Sequence, residues 1–396
     1  MPMMLTGVAT SQSVVTNSQT QSSTVATSQT LNVVDVSGAT TGVTDSTGNT
    51  LTGAVTSGTL GVTSSQSISA DITSNSQLNV VTNAGSSVTL NTATTGNTAD
   101  VETVTGGGAV TGSLSQTTGA VNILATNSVS ASGAQAGSFS TGTQAITNSI
   151  GVATDASPVT VTTNQSNAGV TNAQDGGTLT YTPGTAAFTA SAVSNNLTGT
   201  GSGGASQTIN ATQSTSGTLT QAGEYIYFGN AQTPMASATA SDNNISLSNE
   251  SGSLNVVDNQ TNTTYTQSQA TLSSYEFGAA QASAYSVGNS VLAANVGPYT
   301  GVDNSQTNSG GVVATSSFIG NTGYDATSSA TAMGNAATGF ACSDCGGVIS
   351  VANTQVNTGG VSATSSIDVA GSNRSVTGTA TAVGNNATFY VSKPKS

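Results

Sequence analysis

Short stretches alternating aliphatic with hydroxyl or amide side chains run along the chain, as in SVVTNSQT, TLNVVDV, VTVTTNQS and LNVVTN. An extended backbone turns successive side chains to opposite faces. This pattern therefore predicts strands with Val, Leu and Ile on one face and Ser, Thr and Asn on the other. The β-branched Val and Thr favour extended backbone as well. Gly and Asn interrupt the stretches, in SGAT, TGNT, NAGS and GGG, and predict short connections. No segment carries the Leu-, Ala- and Glu-rich 3.6-residue pattern of a helix.

The pattern repeats. A Gln recurs at Gln19, Gln66, Gln116, Gln165, Gln213, Gln260, Gln306 and Gln355, at intervals of 46 to 50 residues. An Asn, often preceded by Gly, recurs at Asn49, Asn97, Asn148, Asn195, Asn243, Asn289, Asn335 and Asn385, at intervals of 46 to 51. LNVV begins at Leu31, Leu78 and Leu254. VDNSQTNSGGVVATSSFIG from Val302 matches VANTQVNTGGVSATSSIDV from Val351 at 11 of 19 positions. Two markers on one period predict about eight repeats of ~48 residues.

A fixed period of this size points to a solenoid, a propeller or an array. A propeller fits poorly, because the chain has no Trp and few aromatics to pack between sheet faces. The expected fold is all-β, a repetitive parallel β-solenoid (β-helix), whose narrow interior suits small side chains. Two rungs of about 24 residues per repeat would make sixteen rungs, a rod on the order of 75 Å long at ~4.8 Å per rung. In such a rod the recurring amides have two readings. They can form hydrogen-bonded ladders between rungs, the reading preferred for the Gln series. They can instead sit in turns, where Asn tolerates left-handed backbone, the reading preferred for the Asn series.

Composition narrows the function. Only 5% of residues are charged, and the sole cations are Arg374, Lys393 and Lys395 against 16 acids. No cationic stripe exists to neutralise phosphates, so nucleic acid is not an expected partner. Disorder is disfavoured by abundant Val and Thr, only six Pro and 35% hydrophobic residues. The start, MPMMLTGVATSQ, lacks the basic and apolar regions of a signal peptide. A secreted chain whose leader has been removed reads this way, and so does a cytoplasmic one.

Catalytic chemistry is not expected. With no His, Ser–His and Cys–His pairs are unavailable. The acids, among them Asp155, Asp175, Glu224, Asp242 and Glu276, are scattered without basic partners, although folding could pair carboxylates from adjacent rungs. No metal site and no cofactor are expected: two thiols without His do not make a zinc site, and isolated acids without a glycine- and aspartate-rich nonapeptide disfavour calcium. Cys342 and Cys345, in ACSDCGG, are expected to form a local disulfide that pins the loop between the last two repeats. An exposed pair available for intermolecular linkage is the alternative.

The expected organisation is an N-terminal extension over 1–10, a repeat domain over 11–391 and a tail over 392–396. Phe389 and Tyr390, with Lys393, Pro394 and Lys395, are expected to cap the last rung. All seven Phe and nine Tyr lie between Phe139 and Tyr390. Phe139 to Phe188, Phe228 to Phe277 and Phe340 to Phe389 are each 49 apart. Stacking inside the rungs is one reading of the aromatics, and a sugar- or partner-binding face the other.

The paired motifs SATAMGNAATGFACSDCGG from Ser329 and GTATAVGNNATFYVSKPKS from Gly378 resemble the C-terminal end of the HfaD-type holdfast anchor proteins of stalked α-proteobacteria. The resemblance is close over residues 300–396 and compositional before them. It implies a secreted surface protein exported through a curli-like outer-membrane channel, its signal peptide taken as removed. Such a protein would tether an adhesive polysaccharide holdfast together with other anchor proteins and outer-membrane export and assembly components. Amyloid-like self-association is a further expectation, from stacked polar repeats and an N-terminus without a cap. The alternatives are a phage fibre or tailspike that cleaves sugar and an S-layer-like surface protein.

Overall fold

The computed structural model describes residues 12–104, 108–342, 346–371 and 373–392. Their regular structure is all strand, and the strands pair in parallel. The chain runs along a first flat, Gln12–Gln21, a second, Val25–Asp35, and a third, Ala39–Val55. It then returns beside its own start. Thr59–Ile68 pairs with the first strand, placing Gln66 opposite Gln19. Ile72–Asn83 follows the second and Ser87–Thr103 the third. The first flat becomes an eight-stranded sheet that ends on Val348–Asn357. From Val170 to Cys342 the second and third flats run on as single long strands such as Val170–Ser202, whose pairing shifts register between Thr182 and Thr185 where the corner lies. In the last turn they separate again into Val361–Val369 and Ser375–Ser392.

This winding fits a parallel β-solenoid, with one correction. The chain comes back to the same lateral position after 46 to 51 residues, so a circuit takes the whole interval and not half of it. The width of the interior is the reason. Flats of 10, 11 and 17 residues enclose two apolar lobes side by side, which a 24-residue circuit could not surround. Eight strands spaced ~4.8 Å apart give a stack on the order of 35 Å high.

Inward positions alternate with outward ones, as in the burial of Thr59–Ile68 and Phe139–Asp155. One lobe lies between the second and third flats and is built on Leu78, Leu90, Phe139, Phe188, Phe228, Leu272 and Phe318. The other lies between the first flat and the end of the third, around Leu60, Val101, Ile150, Leu197, Ile209, Ile245 and Leu254. Phe139 stacks on Phe188 with centroids 5.3 Å apart, and Phe277 meets Phe318 edge to face at 4.9 Å. The 49-residue aromatic spacing is not the pairing register. Phe139 lies opposite Ala186, two residues short of Phe188, because the winding there takes 47 residues.

The C-terminal aromatics are not a lid. Both belong to the last strand, Ser375–Ser392, with Phe389 against Gly339 and Tyr390 against Phe340 of the preceding turn. Most of that strand's side chains remain exposed. Lys393, Pro394 and Lys395, and the extension 1–10, lie outside the described residues.

Candidate binding groove

Between the lobes runs a strip of amides. Each Gln of the recurring series points inward, and its Nε2 donates to the Oε1 of the Gln one turn earlier. The chain of contacts goes from Gln66 to Gln19, Gln116 to Gln66, Gln165 to Gln116 and Gln213 to Gln165, then Gln260 to Gln213, Gln306 to Gln260 and Gln355 to Gln306, at 2.7–3.0 Å. The Asn series forms a second ladder of opposite polarity. Asn49 donates to Asn97, and the sense continues through Asn148, Asn195, Asn243, Asn289 and Asn335 to Asn385, at 2.7–2.9 Å. All eight Asn lie inside strands, not in turns. The residue before each one, such as Gly96, Thr147, Ser194 or Asp242, is skipped in the pairing register. There the strand bends, so two successive side chains face inward.

The ladders also clasp each other. Gln165 Nε2 donates to the carbonyl of Asn196, the residue after Asn195, and Asn195 Nδ2 donates to the carbonyl of Ser214, the residue after Gln213. The same exchange recurs at Gln66 with Thr98, Gln213 with Asn244 and Asn243 with Thr261. Each interior amide N–H₂ thus spends one hydrogen along the stack and one across it. Gln165, Gln213, Gln260, Gln306, Asn148, Asn195, Asn243 and Asn289 are fully buried. Burial is tolerable because these polar atoms are satisfied.

The buried acids differ from one another. Asp242, in the bend column, is enclosed by Thr220, Thr266, Ser194 and Asn262. Burial pushes its carboxyl up to about 7, and hydrogen bonds from those neighbours hold it lower than burial alone would. Burial also raises Asp175 to about 7 and Glu224 well above the usual carboxylate range, the Asp175 charge adding to the second. Those two pair across adjacent turns, 49 residues apart in the chain. Burial and then Asp303 raise Asp258 to about 8. Cys342 is buried and disulfide-bonded, while Cys345 lies outside the described residues.

On the outside, tyrosines dominate. Tyr181, Tyr225, Tyr227, Tyr265, Tyr275, Tyr299, Tyr324 and Tyr390 are each more than a third exposed. Two of them, Tyr181 and Tyr324, converge at the corner between the second and third flats, where successive turns place Tyr181, Asn230, Glu276 and Thr322 side by side. A groove of about 520 Å³ opens there, lined by Tyr181, Pro183, Asn230, Gln232, Glu276, Phe277 and Tyr324. Two tyrosine rings flank amides and one carboxylate, and Phe277 closes the floor. Arg374, ion-paired with Asp325, lies 6.0 Å from the centroid of the Tyr324 ring and buttresses it.

Such a groove offers flat apolar faces beside paired acceptors and donors. These suit the C–H faces and vicinal hydroxyls of a sugar ring. Glycoside cleavage generally uses two carboxyls across the bond, and Glu276 is the only carboxylate in this lining. Sequence reasoning missed the groove because its residues come from four different turns. The cue was that aromatics are absent before Phe139.

A family model described as holdfast attachment protein D matches residues 34–311. That span ends ahead of the C-terminal motifs that carry the resemblance, which begin at Ser329. No curated protein and no solved structure matches the chain.

Proposed function

Because this chain belongs to the holdfast attachment protein D family, whose role is adhesion at the cell surface, we propose that it is an outer-membrane-associated anchor that holds the adhesive polysaccharide in the tyrosine-lined groove. The observation that carries this reading is the convergence of Tyr181 and Tyr324 with Asn230, Gln232 and Glu276 over a Phe277 floor. The tyrosines stack on sugar faces, and the amides and Glu276 bind hydroxyl pairs. In this reading the other holdfast components, including further anchor proteins and the export and assembly apparatus, meet the remaining surface.

The test is retention of purified holdfast polysaccharide by the immobilised chain. Tyr181→Ala with Tyr324→Ala should weaken retention about tenfold or more, since each lost ring contact is worth roughly 1 kcal/mol. Glu276→Gln should weaken it less. Full retention by the folded double variant would remove the groove from the reading.

Ladder polarity favours a second activity, end-to-end self-association. The first described turn presents an amide hydrogen of Gln19 and the Oδ1 of Asn49. The last presents the Oε1 of Gln355 and an amide hydrogen of Asn385. Head-to-tail stacking of a second copy would extend both ladders in the correct sense, whereas head-to-head stacking would oppose like groups. A head-to-tail contact of this kind does not close and gives a filament. Sedimentation over a concentration series tests it: growth should be lost in Gln355→Lys, and a wild type that stays monomeric throughout contradicts it.

A further inference from the structure

Neither the groove nor the clasp uses the carboxyl pair Asp175 and Glu224. Asp175 stands between Asn127 of the preceding turn and Glu224 of the following one, all on the second flat and all buried. Thr141 and Thr143 face Asp175 from the third flat. Thr141, Thr143, Asn127 and the Gly176 N–H lie close enough to Asp175 to hold its carboxyl lower than burial alone would. Even so, both oxygens of each carboxyl, both amide atoms of Asn127 and both threonine hydroxyls are buried short of full hydrogen-bonding geometry.

Other unpartnered atoms of the interior, such as the hydroxyls of Thr163, Thr182 and Ser241 and the amide of Asn249, are dispersed and neutral, whereas here eight gather around two carboxyls, and that concentration needs an occupant. A cationic side chain does not supply it. Among the described residues the only one is Arg374, on the surface beside Asp325. The opposite wall gives room, because the column that holds Thr143 continues as Ala190 and Ala238. A shared proton would join the two carboxyls and leave Asn127 and the threonines short of full hydrogen-bonding geometry. A cation would engage them all.

The unpartnered set contains seven oxygen atoms: four carboxylate, one amide and two hydroxyl. Oxygen donors of mixed charge, in a number near the ~6–8 that calcium takes, suit a large hard cation. Magnesium demands a tighter octahedron and keeps its waters. Two carboxylates balance a divalent charge. Strands ~4.8 Å apart place the two carboxyls within reach of one ion.

We propose that Asp175, Glu224, Asn127, Thr141 and Thr143 form an interior site for one divalent cation of the calcium class. The ion replaces the missing partners and locks three successive turns together.

The test uses the full chain, unfolded in chelator and refolded with Ca²⁺, with Mg²⁺ or with chelator alone. Elemental analysis after dialysis should find about one Ca²⁺ per chain. Excess Ca²⁺ should raise the Tm by on the order of 5 °C over chelator, with Mg²⁺ doing less. Asp175→Asn with Glu224→Gln should fold, bind none and melt at one temperature in Ca²⁺ and in chelator. Should that variant fail to fold, Asn127→Leu is measured instead, and its Ca²⁺ affinity should fall tenfold or more. Folded wild type that refolds in Ca²⁺ without retaining metal, with an unchanged Tm, overturns the site and leaves the pair sharing a proton. Undiminished Ca²⁺ binding by either variant overturns it as well.

Discussion

The Gln–Asn clasp and the Asp175–Glu224 column are both buried, polar and repeated from turn to turn, yet they solve burial in opposite ways. In the clasp every amide has a matching amide above it, and its second hydrogen reaches a carbonyl across the strip. In the column the identities change from Asn127 to Asp175 to Glu224, and nothing matches. A neutral group that is both donor and acceptor can stack on copies of itself without limit. A carboxylate only accepts, so its neighbour of the same kind repels it. Asp242 lies between these extremes, an acid surrounded by neutral hydrogen-bonding partners. Repetition of amides therefore supplies structure, while a carboxyl that breaks the repetition needs a partner of another kind, which neighbouring side chains supply at Asp242 and the proposed cation would supply at Asp175 and Glu224.

Breaking the clasp in its middle should have the largest effect. Gln165→Ala leaves Gln213 Nε2 without its acceptor, and Gln116 Oε1 and the Asn196 carbonyl without their donor. Denaturant unfolding should show a loss of about 4 kcal/mol, each stranded buried group costing roughly 1–3 kcal/mol with partial relaxation. A loss under about 1 kcal/mol would mean that these amides are not mutually satisfied.

The acids sharpen the contrast through pH. Asp242 titrates near 7 in the folded chain, against an ordinary value of 3.8. The folded state thus keeps a proton that the unfolded state gives up. Its stabilising effect is complete below pH ~4 and disappears as pH rises toward 7. Asp242 should contribute a fall on the order of 2 kcal/mol from pH 5 to 7, to which Asp175, Glu224 and Asp258 add in the same direction, and Asp242→Asn should make the slope shallower by its share. An unchanged slope in the variant would assign the pH dependence elsewhere.

The smallest effect is expected at the end of the ladder. Gln355 is only half-buried and has nothing stacked beyond it among the described residues. Gln355→Ala should cost no more than about 1 kcal/mol by the same unfolding measurement. A cost equal to that of Gln165→Ala would show that position in the stack does not matter.

The period was plain in the sequence because a ladder needs the same side chain at each return. The interval from Gln19 to Gln66 in the chain is the interval that separates paired residues in the sheet. The number of rungs per interval was not legible. A period gives the length of a circuit only after its corners are known, and the bends here fall inside strands, as at Gly96–Asn97. The same bend explains why Gly-Asn looked like a turn. Gly before Asn satisfies a tight bend as well as a turn does, and only the inward direction of the Asn separates the two. Asp175 and Glu224 look isolated in the sequence because they lie 49 positions apart, although that spacing is one circuit. The tyrosine groove draws on Tyr181, Asn230, Glu276 and Tyr324, each ordinary in its own repeat. It exists only after four turns are stacked.

Side-chain amide hydrogen exchange, read by NMR on the intact chain, measures the clasp directly. The Nε2 and Nδ2 hydrogens of Gln165, Gln213, Gln260, Asn195 and Asn243 should exchange only on unfolding, while those of Gln19 and Gln355 exchange much faster. Uniformly fast exchange across both series in a folded chain would contradict a structure held together by stacked amides.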